Sequence, residues 1–199
     1  IKITHDYPHC WRCHSPLICY PKPAWYIKTT AYKDKIIEEN KKINWYPDYV
    51  GTKRFANWLE NMIDWGISRN RYWGCPLPVW TCTCGHKHVI GSLDELQSLV
   101  IEDVDVRKIE LHRPYVDDLH IKCPECGKTM ERVKDVLDVW FDSGSMPYAQ
   151  FHYPFENKEL FENQFPAEFI AEGLDQTRGW FYVLLVISTI ISGTSSFKN

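Results

Sequence analysis

Two close cysteine pairs, Cys82-Thr83-Cys84 and Cys123-Pro124-Glu125-Cys126, lie 38 residues apart. They constrain the fold more than any other feature of the chain. Thiolates at such spacing serve tetrahedral metal coordination when the fold brings the pairs together, and four cysteines make a closed site that staples structure rather than catalyses. Eight cysteines with no visible secretory signal point to metal binding rather than disulfides. The start, Ile1-Lys2-Ile3-Thr4-His5-Asp6, has no initiator Met, basic region or apolar core of a leader, and reads as the interior of a longer protein. Zinc is the expected ion, with His86 or His88 as substitute ligands if one cysteine is displaced; the bland alternative is a set of reduced structural thiols. Cys10-Trp11-Arg12-Cys13 is a further pair with no second half, a half metal site. Cys19 and Cys75 stand alone and are expected to be small packed thiols, since no His or acid pattern supports cysteine catalysis.

With 199 residues the chain can bury one core or two small ones. A net charge of -3 excludes a polybasic, nucleic-acid-coating surface, so any RNA contact must be local. The apolar run Phe181 to Ile191 falls short of the roughly 20 residues a membrane span requires, and reads as a buried helix.

Four zones follow. Residues 1–50 hold the half metal site, a strand at Ala24 to Lys28 and a polar helix from Lys33 to Lys42. Residues 51–74 begin with a helix capped by Thr52, whose Phe55, Trp58, Leu59, Met62 and Ile63 share one face. Residues 75–135 form an inserted zinc-ribbon-like module with a short helix around Leu93 to Leu96. In residues 136–199, Val139 to Ser145 reads as a strand ending in a turn, Ala167 to Ala171 as a second strand, and Gln176 to Ser192 as a helix capped near Asp175. Strand, turn and helix in that order are half of a doubly wound α/β unit, which binds ligands beyond the carboxyl ends of its strands.

The chemistry concentrates in two segments, Asp64 to Gly74 and Glu172 to Phe181. The first N–H groups of a helix after a strand favour an anion such as phosphate. Gly173 permits close approach, Glu172 and Asp175 can accept from ribose hydroxyls, and the Gln176 amide can donate to a carbonyl or phosphate oxygen. Trp65 and Trp180 suit the walls of an apolar specificity pocket, against the alternative of ordinary core packing. Arg69 and Arg71 can pair with phosphates or with internal carboxylates.

These segments, with Tyr7 to Cys13, Asn57-Trp58-Leu59-Glu60-Asn61 and Trp140-Phe141-Asp142-Ser143-Gly144, resemble the isoleucyl members of the class I aminoacyl-tRNA synthetases over nearly the whole chain. The resemblance implies an α/β fold: part of a Rossmann-like catalytic domain with a zinc-ribbon-like connective insertion. It also implies ATP-dependent activation of isoleucine to isoleucyl-adenylate, with Mg²⁺ accompanying ATP, and transfer to tRNA(Ile). In that family the positions matching Trp65 and Trp180 wall the isoleucine pocket, and those matching Glu172, Gly173, Asp175 and Gln176 hold the adenylate. The editing domain would precede Ile1, so Cys10 and Cys13 would be separated from their partner cysteines. Neither HIGH nor KMSKS occurs, so no catalytic residue is assigned and the segment alone is expected to be inactive. A monomeric cytoplasmic enzyme without membrane contact is the expectation for the whole. Valyl enzymes are the closer competitor and leucyl ones the weaker. The rival from another class is a stand-alone zinc-ribbon RNA-binding module, which leaves Glu172 to Trp180 unexplained.

Overall fold

Helical spacing around Trp58 and the apolar run after Gly179 build the core of the helical part. The computed structural model describes residues 4–199. Helix α1 (Lys33–Lys42) buries Ile36 against α2 (Ala56–Glu60) and α6 (Trp180–Ser192), where Phe55, Leu59, Met62, Leu184 and Leu185 meet. Removing such side chains from water is the main stabilising term. Helix α6 ends at Gly193, whose φ of 72° supplies the left-handed turn that L side chains resist. At 13 residues α6 is the buried helix expected, and no helix among the described residues is long and apolar enough to cross a membrane.

The helix expected to begin at Thr52 starts earlier, as a π-helical turn at Val50–Phe55 that runs into α2. Thr52 is therefore no cap: its hydroxyl donates back to the Asp48 carbonyl at 3.1 Å. The wide turn fits Gly51 beneath Trp45, since a Cβ there would lie 2.0 Å from the indole Cδ1. Because α2 stops at Glu60, Ile63 leaves the helical phase and is 78% exposed rather than part of the buried face.

The second core belongs to a four-stranded antiparallel sheet ordered β5-β4-β7-β6, from β4 (Val79–Thr81), β5 (Lys87–Val89), β6 (Ile121–Lys122) and β7 (Thr129–Arg132). Trp80, Ile121 and Met130 fill it, with Leu96 from α3 (Leu93–Leu99). Ser92 caps α3 by accepting from the Glu95 N–H at 3.1 Å. Two short antiparallel pairs lie outside this sheet. In the first, β1 (Tyr26–Ile27) pairs with β2 (Trp65–Gly66), and in the second, β3 (Ser68–Arg69) pairs with β8 (Val136–Leu137).

Two strand expectations fail. Val139–Ala149 is helix α4, because Asp138 caps it by accepting from the Trp140 N–H and Gly144 lets it press onto α6. A Cβ at Gly144 would stand 3.0 Å from Val183 Cβ and 2.8 Å from Ile187 Cδ1. Ala167–Ala171 forms no named strand; it contributes one parallel bridge, Ala167 to Phe197, plus a bond from the Ile170 N–H to the Asn199 carbonyl at 3.0 Å. Helix α5 (Lys158–Gln164) lies between them and packs Phe161 against Tyr148. The architecture is mixed α/β, and the parallel component within the described residues is that bridge.

Candidate functional site

Cys82, Cys84, Cys123 and Cys126 converge at one end of the sheet, with their sulfurs all within 4.8 Å of one another. Two short turns achieve this. Gly85 N–H returns to the Cys82 carbonyl at 3.0 Å and Gly127 N–H to the Cys123 carbonyl at 2.9 Å. Both glycines have positive φ, 95° and 71°, so each turn folds back at little steric cost. The Cys82–Cys126 and Cys84–Cys123 sulfur separations are 3.4 and 3.8 Å. A tetrahedron with metal–sulfur bonds of about 2.3 Å has edges of about 3.8 Å, so the donors fit one ion. The backbone N–H of Cys84, with the neighbouring thiols, draws the Cys82 thiol down to about 6. Cys84 has the His86 N–H favouring its thiolate, yet the Cys82 sulfur and burial push it up to about 12. Only a cation lets all four ionise together. These four cysteines can hold a metal ion. The histidines are engaged elsewhere: His86 Nδ1 lies 3.0 Å from Glu125 Oε1, and His88 Nε2 lies 3.0 Å from Glu95 Oε1.

Cys10 and Cys13 sit in a separate turn, with the His14 N–H donating to the Cys10 carbonyl at 2.8 Å. The Ser15 hydroxyl, 3.1 Å from its sulfur, is the first cause drawing Cys13 down to about 7. Cys19 and Cys75 are exposed, contrary to the packed-thiol expectation.

The start of α4 holds both singled-out tryptophans. The Trp65 indole N–H donates to Asp138 Oδ2 at 3.1 Å, and its ring lies 6.1 Å from that of Phe141. The Trp180 indole N–H donates to the Ser143 carbonyl at 3.2 Å. Arg69 completes the group, its guanidinium meeting Asp138 Oδ2 at 2.7 Å, so of the two partners open to it the internal carboxylate is the one it has. Arg71 stays exposed, with Nη1 on the Asn70 carbonyl at 3.1 Å. Both indoles are half-buried; Trp180 lines a crevice of about 410 Å³ with Met146, Pro147, Phe165 and Leu184, and Trp65 does not line it.

Between Ala171 and α6 the chain makes a 3₁₀ turn, Leu174–Arg178. Glu172, Gly173 and Asp175 are exposed there. Asp175 is not the helix cap. The Gln176 side chain takes that role, its Oε1 accepting from the Trp180 N–H at 2.8 Å while its Nε2 donates to Asp175 Oδ2 at 3.0 Å. A Cβ at Gly173 would lie 2.5 Å from Asp175 Oδ1, so only glycine lets that carboxylate fold over the turn. Arg54 braces the turn through Thr177 at 3.1 Å, and Arg178 covers the Trp58 ring. Glu172 and Leu174 border an apolar cavity of about 280 Å³ with Trp45, Tyr46 and Phe181.

A family model described as tRNA synthetases class I (I, L, M and V) matches residues 16–199. The chain belongs to this family. Among curated class I relatives, the isoleucine–tRNA ligase of Clostridium acetobutylicum is 59% identical over 198 residues, covering 100% of this chain and 19% of that protein. That of Clostridium tetani is 58% identical over 199 residues, and isoleucine–tRNA ligase 2 of Bacillus cereus 55%, each with the same coverage. The chain thus spans 19% of the length of the relatives it matches. A solved LeuRS–tRNA–LeuAMS complex from Agrobacterium radiobacter K84 aligns with a TM-score of 0.48 at 22% identity, over 69% of this chain and 19% of that one. Within this class I segment, sequence reasoning missed Asp138, Ser143 and Arg54. An aspartate directly before an apolar run is a cap signal and could have revealed Asp138; the other two act through contacts that only the folded chain creates.

Proposed function

We propose that this chain is a segment of an isoleucine–tRNA ligase that contributes part of the amino-acid and adenylate site. The 59% identity to an isoleucine–tRNA ligase over 100% of the chain carries the reading. In the full protein, the isoleucine carboxylate attacks the α-phosphate of Mg²⁺-bound ATP, giving isoleucyl-adenylate and pyrophosphate. The isoleucyl group then passes to the 3′ adenosine of tRNA(Ile). The segment supplies binding rather than proton transfer. Trp65 and Trp180 exclude water from the aliphatic side chain and reject bulkier or more polar ones by shape. Glu172 and Asp175 accept from ribose hydroxyls, Gly173 keeps the backbone within reach of the adenylate, and the Gln176 amide orients the turn. Zinc bound by Cys82, Cys84, Cys123 and Cys126 would supply a structural cross-link holding the two turns of the module. Cys10 and Cys13 would be half of a second metal site.

Isoleucine-dependent ATP–pyrophosphate exchange by the full-length protein carrying this segment tests the proposal. Trp180→Ala is expected to raise the KM for isoleucine at least about tenfold with little change for ATP. Exchange stimulated equally by leucine, or indifferent to isoleucine, would refute it.

A further inference from the structure

Asp138 lies outside both segments singled out for ligand chemistry in sequence, yet its side chain holds the first directly and the helix it begins contacts the second. Its side chain is 6% exposed, and it accepts at Oδ2 from the Trp65 indole N–H at 3.1 Å and from Arg69 Nη2 at 2.7 Å. Its backbone is fixed as well, because its N–H donates to the Ile67 carbonyl at 2.7 Å. From that anchored point α4 begins. One turn later the Ser143 carbonyl receives the Trp180 indole N–H, and the Trp140 ring covers Gly179, the residue before Trp180. A Cβ on Gly179 would stand 3.0 Å from Trp140 Cη2 and 2.7 Å from Gln176 Oε1, so this packing leaves no slack. The position of α4 therefore sets the planes of both indoles at once.

We infer that Asp138 is a positioning residue for amino-acid specificity, orienting the Trp65 wall directly and the Trp180 wall through the start of α4. The inference rests on the proposal that these two indoles line the isoleucine pocket. Discrimination between aliphatic side chains differing by one methylene is small, so it depends on walls that do not move. A half-buried indole held only by packing can tilt; one whose N–H is tied to a buried carboxylate, itself fixed by a guanidinium, cannot do so without losing a charge-assisted hydrogen bond. Arg69 holds the carboxylate aimed through a charge-assisted hydrogen bond that a neutral partner would not supply. The negative charge is felt nearby: Asp142 is raised above the ordinary aspartate range, first by burial and then by Asp138. Asp138 touches no reacting atom, so its effect is on which amino acid is held well, not on the chemical step.

The test is pyrophosphate exchange by the full-length ligase carrying this segment, with isoleucine and valine as substrates. Asp138→Ala is expected to raise the KM for isoleucine about tenfold, leave kcat and the KM for ATP within about twofold, and narrow the isoleucine-over-valine preference. Asp138→Asn keeps an acceptor for the indole and is expected to restore most of the preference. Trp65→Phe keeps an aromatic side chain and Asp138's other contacts but removes the N–H along with part of the indole, so its coupling to Asp138→Ala reads the link in a protein whose helix cap is intact. It is expected to narrow the preference in the same direction and to add little when combined with Asp138→Ala. Should Trp65→Phe leave the preference intact, or Asp138→Ala lower kcat for both amino acids equally, the positioning role is wrong. Trp65→Ala separates the two readings. If it changes the isoleucine KM while Asp138→Ala and Trp65→Phe do not, the pocket stands and the inference fails; if it changes nothing, both fall.

Discussion

Replacing Arg132 by Met should show how firmly the four-cysteine sheet is seated on the rest of the chain. Its guanidinium is fully buried and donates from Nε to Asp117 Oδ1 at 2.9 Å and from Nη1 to the carbonyls of Leu77 and Asp135, each at 3.1 Å. Those carbonyls belong to the two chain segments that enter and leave the module, so one side chain ties both to the 3₁₀ turn Tyr115–Asp118. Met keeps the aliphatic stem but leaves Asp117 Oδ1 unpaired and strips one donor each from the Leu77 and Asp135 carbonyls, which retain the backbone N–H groups of Val79 and Leu77. Breaking a buried pair from one side costs about 3–5 kcal/mol, and the retained Arg113, 2.7 Å from Asp117 Oδ2, places the loss near about 3 kcal/mol. That is a large share of the roughly 5–15 kcal/mol that keeps a domain folded. Burial pushes the Asp117 carboxyl up, but the hydrogen bonds and charges of Arg132 and Arg113 outweigh it and hold it below the usual range. A depressed carboxyl stabilises the fold above its unfolded pKa of about 3.9 and loses that contribution as pH falls through the folded value. The deficit of Arg132→Met should thus be largest near neutral pH and shrink below about pH 4. Urea denaturation at pH 7 and pH 3.5 measures both. A neutral-pH loss under about 1 kcal/mol, or a deficit that does not shrink on acidification, would refute the reasoning.

Two further outcomes are expected. Cys123→Ser should lower bound metal from one ion per chain to none and loosen the module, read by elemental analysis and by the near-UV signal of Trp80, which is 2% exposed; retained metal would contradict the four-sulfur site. Burial, then the charge of Asp138, raises Asp142 in the folded state, so folding stability attributable to it falls as pH rises above the unfolded pKa. Asp142→Asn should therefore stabilise at pH 7, by less than about 1 kcal/mol because the group is partly solvated, and have no effect at pH 3; equal effects at both would be wrong.

The convergence of the four cysteines was legible because its requirement is local: two tight turns, each closed by a glycine, need only the sequence spacing and a sheet to face each other. The buried helix after Gly179 was legible for a similar reason, since a long apolar run has few other places to go. Helix α4 was not. Val139-Trp140-Phe141 carries strand-favouring side chains, and what overrides them is an aspartate cap and the contact of Gly144 with Val183 and Ile187, which lie about forty residues away. Strands of two residues, such as β2 and β3, are too short for any periodicity to register. The hub at Asp138 was invisible for the same reason as α4: its partners Trp65 and Arg69 lie 73 and 69 residues earlier in the chain.

Calorimetric titration of the full-length protein carrying this segment with a non-hydrolysable isoleucyl-adenylate analogue, and with its valyl counterpart, tests the central claim most directly. The account predicts tighter binding of the isoleucyl analogue, weakened at least about tenfold by Trp180→Ala and less by Arg71→Ala, whose side chain is exposed. Equal affinity for the two analogues, or unchanged isoleucyl affinity in Trp180→Ala, would contradict it.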